Sequence, residues 1–103
     1  MRAKWHSHRT LGGSREYVLF VAAWEWRIND MANFVDKYVE EVFGAKVRWR
    51  ACGPGLEGGS PTSSGVVMTR TLRQARARCE DAALRVVEAA AKDLGMKVVE
   101  DRR

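Results

Sequence analysis

The stretch TRTLRQARARCEDAALRVVEAAAKDLG, residues 69–95, decides much of the fold, because its apolar residues recur at spacings of three and four. Such spacing places them on one stripe of a helix: Leu72, Ala75, Cys79, Ala82, Ala83, Val86, Val87, Ala90 and Leu94. Thr71 and Gln74 have the spacing of a capping box, and Gly95 suits the residue just past a helix end. The stretch therefore predicts a helix over residues 72–94.

Four arginines crowd the start of this helix, where positive charge opposes the helix dipole and the exposed N–H groups. They are Arg70, Arg73, Arg76 and Arg78. A bound phosphate would remove the conflict, because a helix N-terminus favours anions. The alternative is that they are solvated surface arginines. If these arginines bind a phosphate and have no structural role, replacing Arg73 and Arg76 by alanine should leave the melting temperature unchanged or raise it.

The composition indicates one globular domain with an uneven positive charge. The chain has 103 residues, 46% of them hydrophobic, and a formal net charge of +5. Between residues 46 and 78 there are seven Lys or Arg against one acid, Glu57. A local excess of this kind favours an anionic partner. Cys52 and Cys79 lack the spacing of a zinc site, so two reduced thiols are favoured over one disulfide.

Residues 1–15 are predicted to be a basic N-terminal arm, with Gly12 and Gly13 marking a flexible end. Its cations are Arg2, Lys4, Arg9 and Arg15. His6 and His8 are too few to hold a metal. The arm has the composition of an organellar targeting segment. No apolar run is long enough to span a membrane. We expect an intracellular protein, in the cytoplasm or in an organelle such as the mitochondrion.

The rest of the chain is predicted to alternate strands and helices. A strand over residues 17–24 is apolar on both faces, and a helix follows over residues 30–43. The strand over residues 45–52 directs Lys46, Arg48 and Arg50 to one side. A loop rich in glycine, serine and proline, residues 53–65, joins it to a strand at 66–70. A short strand over residues 96–100 follows the second helix.

This order predicts an α+β fold, the ferredoxin-like βαββαβ sandwich, in which two helices cover one face of a four-stranded antiparallel sheet. A βαβαβ arrangement remains open if residues 66–70 extend the loop. The uncovered sheet face would be apolar, and such a face marks a partner surface. Phe20, Trp24 and Trp26 are the candidate interface residues.

Two functions are compatible with these features. The first is an RNA-binding structural component of a ribonucleoprotein, similar to ribosomal proteins that combine such a fold with a basic arm. Its nucleic-acid contacts would be Lys46, Arg48, Arg50, Arg70, Arg73, Arg76, Arg78, Arg2, Lys4, Arg9 and Arg15. The second is a small subunit that binds protein and uses its tryptophans as anchors. No nucleophile–base pair is visible, so the sequence predicts no enzyme, no metal and no cofactor.

Overall fold

The computed structural model describes residues 4–31, 47–56 and 64–95. They form five strands and a helix: β1 (Trp5–Arg9), β2 (Arg15–Val21), β3 (Trp24–Asp30), β4 (Trp49–Pro54), β5 (Ser64–Thr69) and α1 (Leu72–Asp93). The strands form one antiparallel sheet in the order β1-β2-β3-β4-β5, so each strand lies beside its neighbour in the sequence. Helix α1 packs on one face of this sheet, against β3, β4 and β5.

This topology contradicts the ferredoxin-like prediction. A βαββαβ chain needs a four-stranded sheet with two helices on one face, whereas the described residues form a five-stranded meander followed by one helix. The error lies in the first thirty residues, where the sequence indicated one strand and the structure has three. The predicted helix at 30–43 falls almost wholly outside the described residues. The predicted strand at 96–100 lies outside them altogether.

The first hairpin replaces the predicted basic arm. Strand β1 pairs with β2 in the register His8↔Glu16, so Trp5–Arg9 belongs to the sheet. Gly12 and Gly13, predicted to mark a flexible end, lie in the turn, and Gly13 has a φ of +83°. Glycine reaches this region without steric cost, which is why Gly-Gly is a common hairpin connection.

The second hairpin divides the predicted strand at 17–24. The chain turns at Ala22 and Ala23, and Val21 pairs with Trp24 at the start of β3. Ala22 has a φ of +52°. The sequence does not predict this conformation, because turns with positive φ usually carry Gly, Asn or Asp. The segment that follows, predicted to be a connection, is therefore β3.

In the second half of the chain, the observed elements agree better with those predicted from the sequence. Strands β4 and β5 pair at both ends of the glycine-rich segment, Gly53 with Gly65 and Pro54 with Ser64, which confirms a hairpin connection. Helix α1 ends one residue before the predicted end, and its capping box between Thr71 and Gln74 is confirmed. Within the described residues, no helix is long and apolar enough to cross a membrane.

The core lies between α1 and the sheet. One stripe of α1 is buried, as predicted, and alternate residues of the inner strands pack against it: Leu19, Trp26, Ile28, Ala51, Val67, Ala75, Cys79, Ala82, Ala83 and Val86. Trp26 is fully buried, and its Nε1 donates a hydrogen bond of 2.7 Å to the Pro54 carbonyl. Because the buried indole N–H is satisfied, Trp26 adds its full apolar area without leaving a polar group unpaired.

Candidate nucleic-acid interface

The strand register brings polar residues from separate parts of the sequence into one row across the sheet. His8 pairs with Glu16, Glu16 with Asn29, and Asn29 with Arg50. Successive side chains of a strand point to opposite faces, and Tyr17 and Ala51, next to members of this row, pack toward α1. The row therefore lies on the face that α1 does not cover, which we call the open face.

One end of the sheet collects most of the predicted cations. There β1 and β3 end, β2 and β4 begin, and β5 leads through residues 70 and 71 into α1. We call this the basic end and define it by Arg9, Arg15, Arg48, Arg50, Arg70 and Arg73. Four strand spacings separate its outermost members, about 19 Å. Lys46 and Arg2 lie outside the described residues.

Carboxylates of the protein already engage two arginines near this end. Arg48 donates to both oxygens of Asp30, Nε at 2.9 Å and Nη2 at 2.7 Å, and this hydrogen-bonded pairing raises the pKa of Arg48. Arg27 donates to Glu25 and Glu16, and the bond to Glu25 is the larger cause of its raised pKa. A bidentate pair satisfies the guanidinium fork, so Arg48 is a weak candidate for a phosphate contact.

Arg76 has a packing role that the sequence did not reveal. Its Cζ lies 4.9 Å from the centre of the Tyr17 ring and 5.8 Å from that of Trp5, so the guanidinium contacts two rings of the sheet. Among the described residues, its Nε is buried without a hydrogen-bond partner. Arg76 thus joins α1 to β1 and β2, and the prediction that it faces a phosphate has no support from this geometry.

The start of α1 keeps an uncompensated positive charge. Its first turn holds no acid, and Thr71 and Gln74 satisfy three backbone N–H groups, those of Arg70, Thr71 and Gln74. Arg70 and Arg73 are exposed, and among the described residues their guanidinium groups make no hydrogen bond or salt bridge.

A groove beside this helix start carries the same charge. It has a volume of about 490 Å³, lies between β5 and α1, and is lined by Val47, Val67, Met68, Thr69, Arg70, Gln74, Ala77 and Arg78. No acid is among these residues. The groove therefore offers an apolar floor between two arginines.

Arg9 and Arg15 are directly opposite each other on β1 and β2. Like charges in this position repel. Each guanidinium instead reaches a neutral acceptor, Arg9 the Gly13 carbonyl at 3.3 Å and Arg15 the Ser7 hydroxyl at 3.2 Å. Neutral acceptors leave the positive charge in place, so both arginines still contribute to the field at this end.

The three predicted interface residues occupy different places. Trp26 is in the core, as described above, and so cannot serve as a surface anchor. Trp24 is half-buried and packs against the same core. Phe20 is 49% exposed on the open face, where its ring meets that of His6 edge-on at 5.6 Å between centroids. Of the three, Phe20 alone is exposed.

A cluster that sequence reasoning missed surrounds Glu16 on the open face. Its carboxylate is buried, accepts hydrogen bonds from Arg27 Nη1 at 2.8 Å and Asn29 Nδ2 at 2.8 Å, and lies 2.9 Å from His8 Nε2. The signal was present in the sequence, because a hairpin centred on Gly12 and Gly13 places His8 opposite Glu16.

Both cysteines are free thiols, in agreement with the favoured reading of the sequence. Burial is the main cause that raises the pKa of Cys79 to about 12, with smaller contributions from Cys52 and Glu80. In the part of the chain that the structure describes, no three His, Cys, Asp or Glu side chains lie close enough to share a metal ion.

Comparisons of this chain with protein-family models, with curated proteins and with solved structures gave no match.

Proposed function

We propose that this protein binds RNA through backbone phosphates and acts as a structural component of a ribonucleoprotein, with the basic end as its contact surface. The supporting observation is that Arg70 and Arg73 stand exposed at a helix start with no acid in its first turn and no carboxylate partner among the described residues. Guanidinium groups in this position match phosphate oxygens in charge and geometry.

The topology adds further cations to the same end. Arg50 is half-buried and lines a cleft of about 310 Å³ with Thr10, Gly12, Ser14, Asn29, Asp30 and Met31. Arg9 and Arg15 add two charges beside it. A nucleic-acid strand that crosses this end from the α1 start past β4 to β2 and β1 would meet arginines from three separate segments. Contacts of this kind position a backbone without reading its sequence.

Salt dependence is the direct test of this proposal. Each phosphate contact to a single strand contributes about 0.7 to the slope of log affinity against log salt. Replacing Arg70 and Arg73 by glutamine should therefore lower the slope by about 1.4, measured by fluorescence anisotropy with a labelled single-stranded RNA of twelve nucleotides.

A charge-matched control separates a local site from net charge. Arg85→Gln with Lys92→Gln removes the same charge from the second half of α1, where Arg85 donates to the Gly55 carbonyl and Lys92 lies in the last turn. We expect this pair to change affinity much less. Equal losses in both variants, or an affinity that salt does not change, would overturn the proposal.

The alternative function, a subunit that binds protein, depends on the open face. Phe20 and Val66 expose 49% and 42% of their surface there, respectively. Association through such apolar residues should persist at high salt and after nuclease treatment. Phe20→Ser would then abolish association, whereas the Arg70→Gln and Arg73→Gln pair would leave it unchanged.

A further inference from the structure

Strand β1 presents two histidines side by side on the open face. His6 and His8 are alternate residues of one strand, so they lie on the same face with Cα atoms about 6.8 Å apart. Both are exposed. Two exposed imidazoles on one face of a strand can therefore approach the same ligand.

Glu16 holds His8 in a defined orientation. Nε2 of His8 lies 2.9 Å from Glu16 Oε1, while Arg27 and Asn29 fix the same carboxylate by hydrogen bonds. With Nε2 beside the carboxylate, Nδ1 is the ring nitrogen left for a substrate. A buried carboxylate that orients an imidazole in this manner is a recurring device for a general base.

His6 has a different environment. Its ring contacts the edge of Phe20 at 5.6 Å, and exposed Lys4 precedes it in the chain. Among the described residues, His6 makes no hydrogen bond or ion pair with a carboxylate. The two imidazoles therefore differ: His8 is held by an anion, whereas His6 can present an N–H to a ligand.

We propose that His8 and His6 form a general base and general acid that cleave RNA by internal transphosphorylation. His8 Nδ1 takes the proton of a ribose 2′-hydroxyl, and that oxygen attacks the adjacent phosphorus. The bond from phosphorus to the 5′-oxygen of the next nucleotide breaks, and His6 gives this oxygen a proton. The products are a 2′,3′-cyclic phosphate and a 5′-hydroxyl, and no other reactant is consumed.

This activity rests on the proposed RNA binding, and the sheet geometry connects the two. His8 lies in the same row as Arg50, about 14 Å away across three strand spacings. A strand held at the basic end can therefore reach the histidines along the open face. Lys4 supplies positive charge near the phosphate, and Glu16 acts as a positioning residue through His8.

The experiment incubates the full chain with a labelled RNA of twelve nucleotides in the presence of a chelator, and mass spectrometry identifies the ends of the products. We expect 2′,3′-cyclic phosphate ends. His8→Asn and His6→Asn should each lower the cleavage rate by about 100- to 10,000-fold. Leu11→Ala, an exposed substitution in the turn that follows β1, should cleave at the rate of the natural protein.

The pH profile tests the assigned roles. Since the base must be neutral and the acid protonated, the rate should pass through a maximum as the pH is varied. Charged groups facing His8 are Glu16 and Arg27, with Glu25 beyond Arg27; Lys4 flanks His6. Glu16→Gln removes the carboxylate beside His8, so kcat should fall with little change in KM. A purely structural role for Glu16 would lower the folded fraction and leave kcat per folded molecule unchanged.

A non-cleavable probe distinguishes failure of this activity from failure of the proposed function. RNA with 2′-O-methyl groups throughout reports binding alone. Binding of this probe without cleavage of ordinary RNA would overturn the activity and leave the RNA-binding proposal standing. Cleavage that survives in both histidine variants, or equal cleavage of an all-DNA strand, would also overturn it. Loss of binding by the probe would overturn both.

Discussion

The guanidinium carbon of Arg76 lies 4.9 Å from the centre of the Tyr17 ring, and this contact ties the second turn of α1 to β2. Trp5 of β1 also contacts α1. Its Nε1 donates a hydrogen bond of 2.9 Å to Oε1 of Glu80, which lies one helical turn beyond Arg76. The first strand is therefore held by contacts to α1 as well as by its pairing with β2. An arginine that looked available for a ligand is part of the protein's own packing.

Arg76→Ala should destabilise the protein, whereas Arg73→Ala should not. Removing Arg76 loses two ring contacts, each worth about 0.5–1 kcal/mol, and the packing of its stem, partly offset by removal of a buried unsatisfied donor. We expect the free energy of unfolding in urea to fall by about 1–2 kcal/mol for Arg76→Ala. Exposed Arg73 should change it by less than about 0.5 kcal/mol. Equal effects would contradict the assignment of Arg76 to the core.

Gly53→Ala should be among the most damaging small substitutions in β4. A Cβ at Gly53 would lie 2.8 Å from Cγ of the fully buried Trp26 ring. Overpacking of this kind costs about 1–3 kcal/mol. Gly12→Ala is the matched control, because the nearest atom to its added Cβ is Thr10 Oγ1 at 3.9 Å. Thermal melting of both variants tests the difference, and comparable melting temperatures would refute it.

Sequence patterns predicted α1 well because its signals are local. The apolar period, the capping box and Gly95, which has a φ of +70°, all lie within the helix or one residue beyond it. Strand β5 and the alternating part of β4 were recognised for the same reason. Ala51, expected to face inward, is fully buried.

The first half was mistaken because its turns and strands carry ambiguous residues. Ala22 adopts a positive φ without the usual turn residues, so an unbroken apolar run concealed a hairpin. Strand β1, WHSHR, is too polar to be predicted as a strand from its sequence. Trp5 is its one residue that packs against the core. Pairing with β2 and packing on α1, both long-range effects, hold it in the sheet.

The candidate site was only partly predictable. The charge excess at the start of α1 could be read directly from Arg70 and Arg73. The ring contacts of Arg76 and the pairing of Arg48 with Asp30 depend on the register of strands far apart in the sequence. The cluster around Glu16 required recognising two hairpins, because its four members come from three consecutive strands.

Thiol reagents should label Cys52 and spare Cys79 in the native protein. Cys79 is fully buried and its pKa is raised to about 12, mainly by that burial, so almost none of it is thiolate at pH 8. Cys52 is half-buried on the open face. Mass spectrometry after a short exposure to iodoacetamide should find one adduct, on Cys52, and two only in denaturant. Preferential labelling of Cys79 would show that the core opens readily.

Cys79 should make the folded protein less stable at alkaline pH. In the unfolded chain this thiol ionises around its ordinary pKa of 9.0, whereas in the folded protein it stays protonated up to about pH 12. The unfolded state therefore loses the proton first, and stability falls as pH rises through this window. The slope approaches about 1.4 kcal/mol per pH unit. Cys79→Ala should flatten the slope in urea titrations between pH 9 and 11, and an unchanged slope would contradict it.

Two substitutions at Thr71 should separate helix capping from RNA binding. Thr71→Asp keeps a side-chain acceptor for the Gln74 N–H and adds a negative charge at the helix start, which should stabilise the protein by about 0.3–1 kcal/mol. That charge also neutralises the field of Arg70 and Arg73, so RNA affinity should fall. Thr71→Ala loses the cap, costing about 1 kcal/mol, but leaves the arginines as they are, so affinity should hold. Thr71→Asp should thus raise the melting temperature and lower the RNA affinity, whereas Thr71→Ala should lower the melting temperature alone. Undiminished RNA binding by Thr71→Asp would mean that no phosphate lies at this helix start.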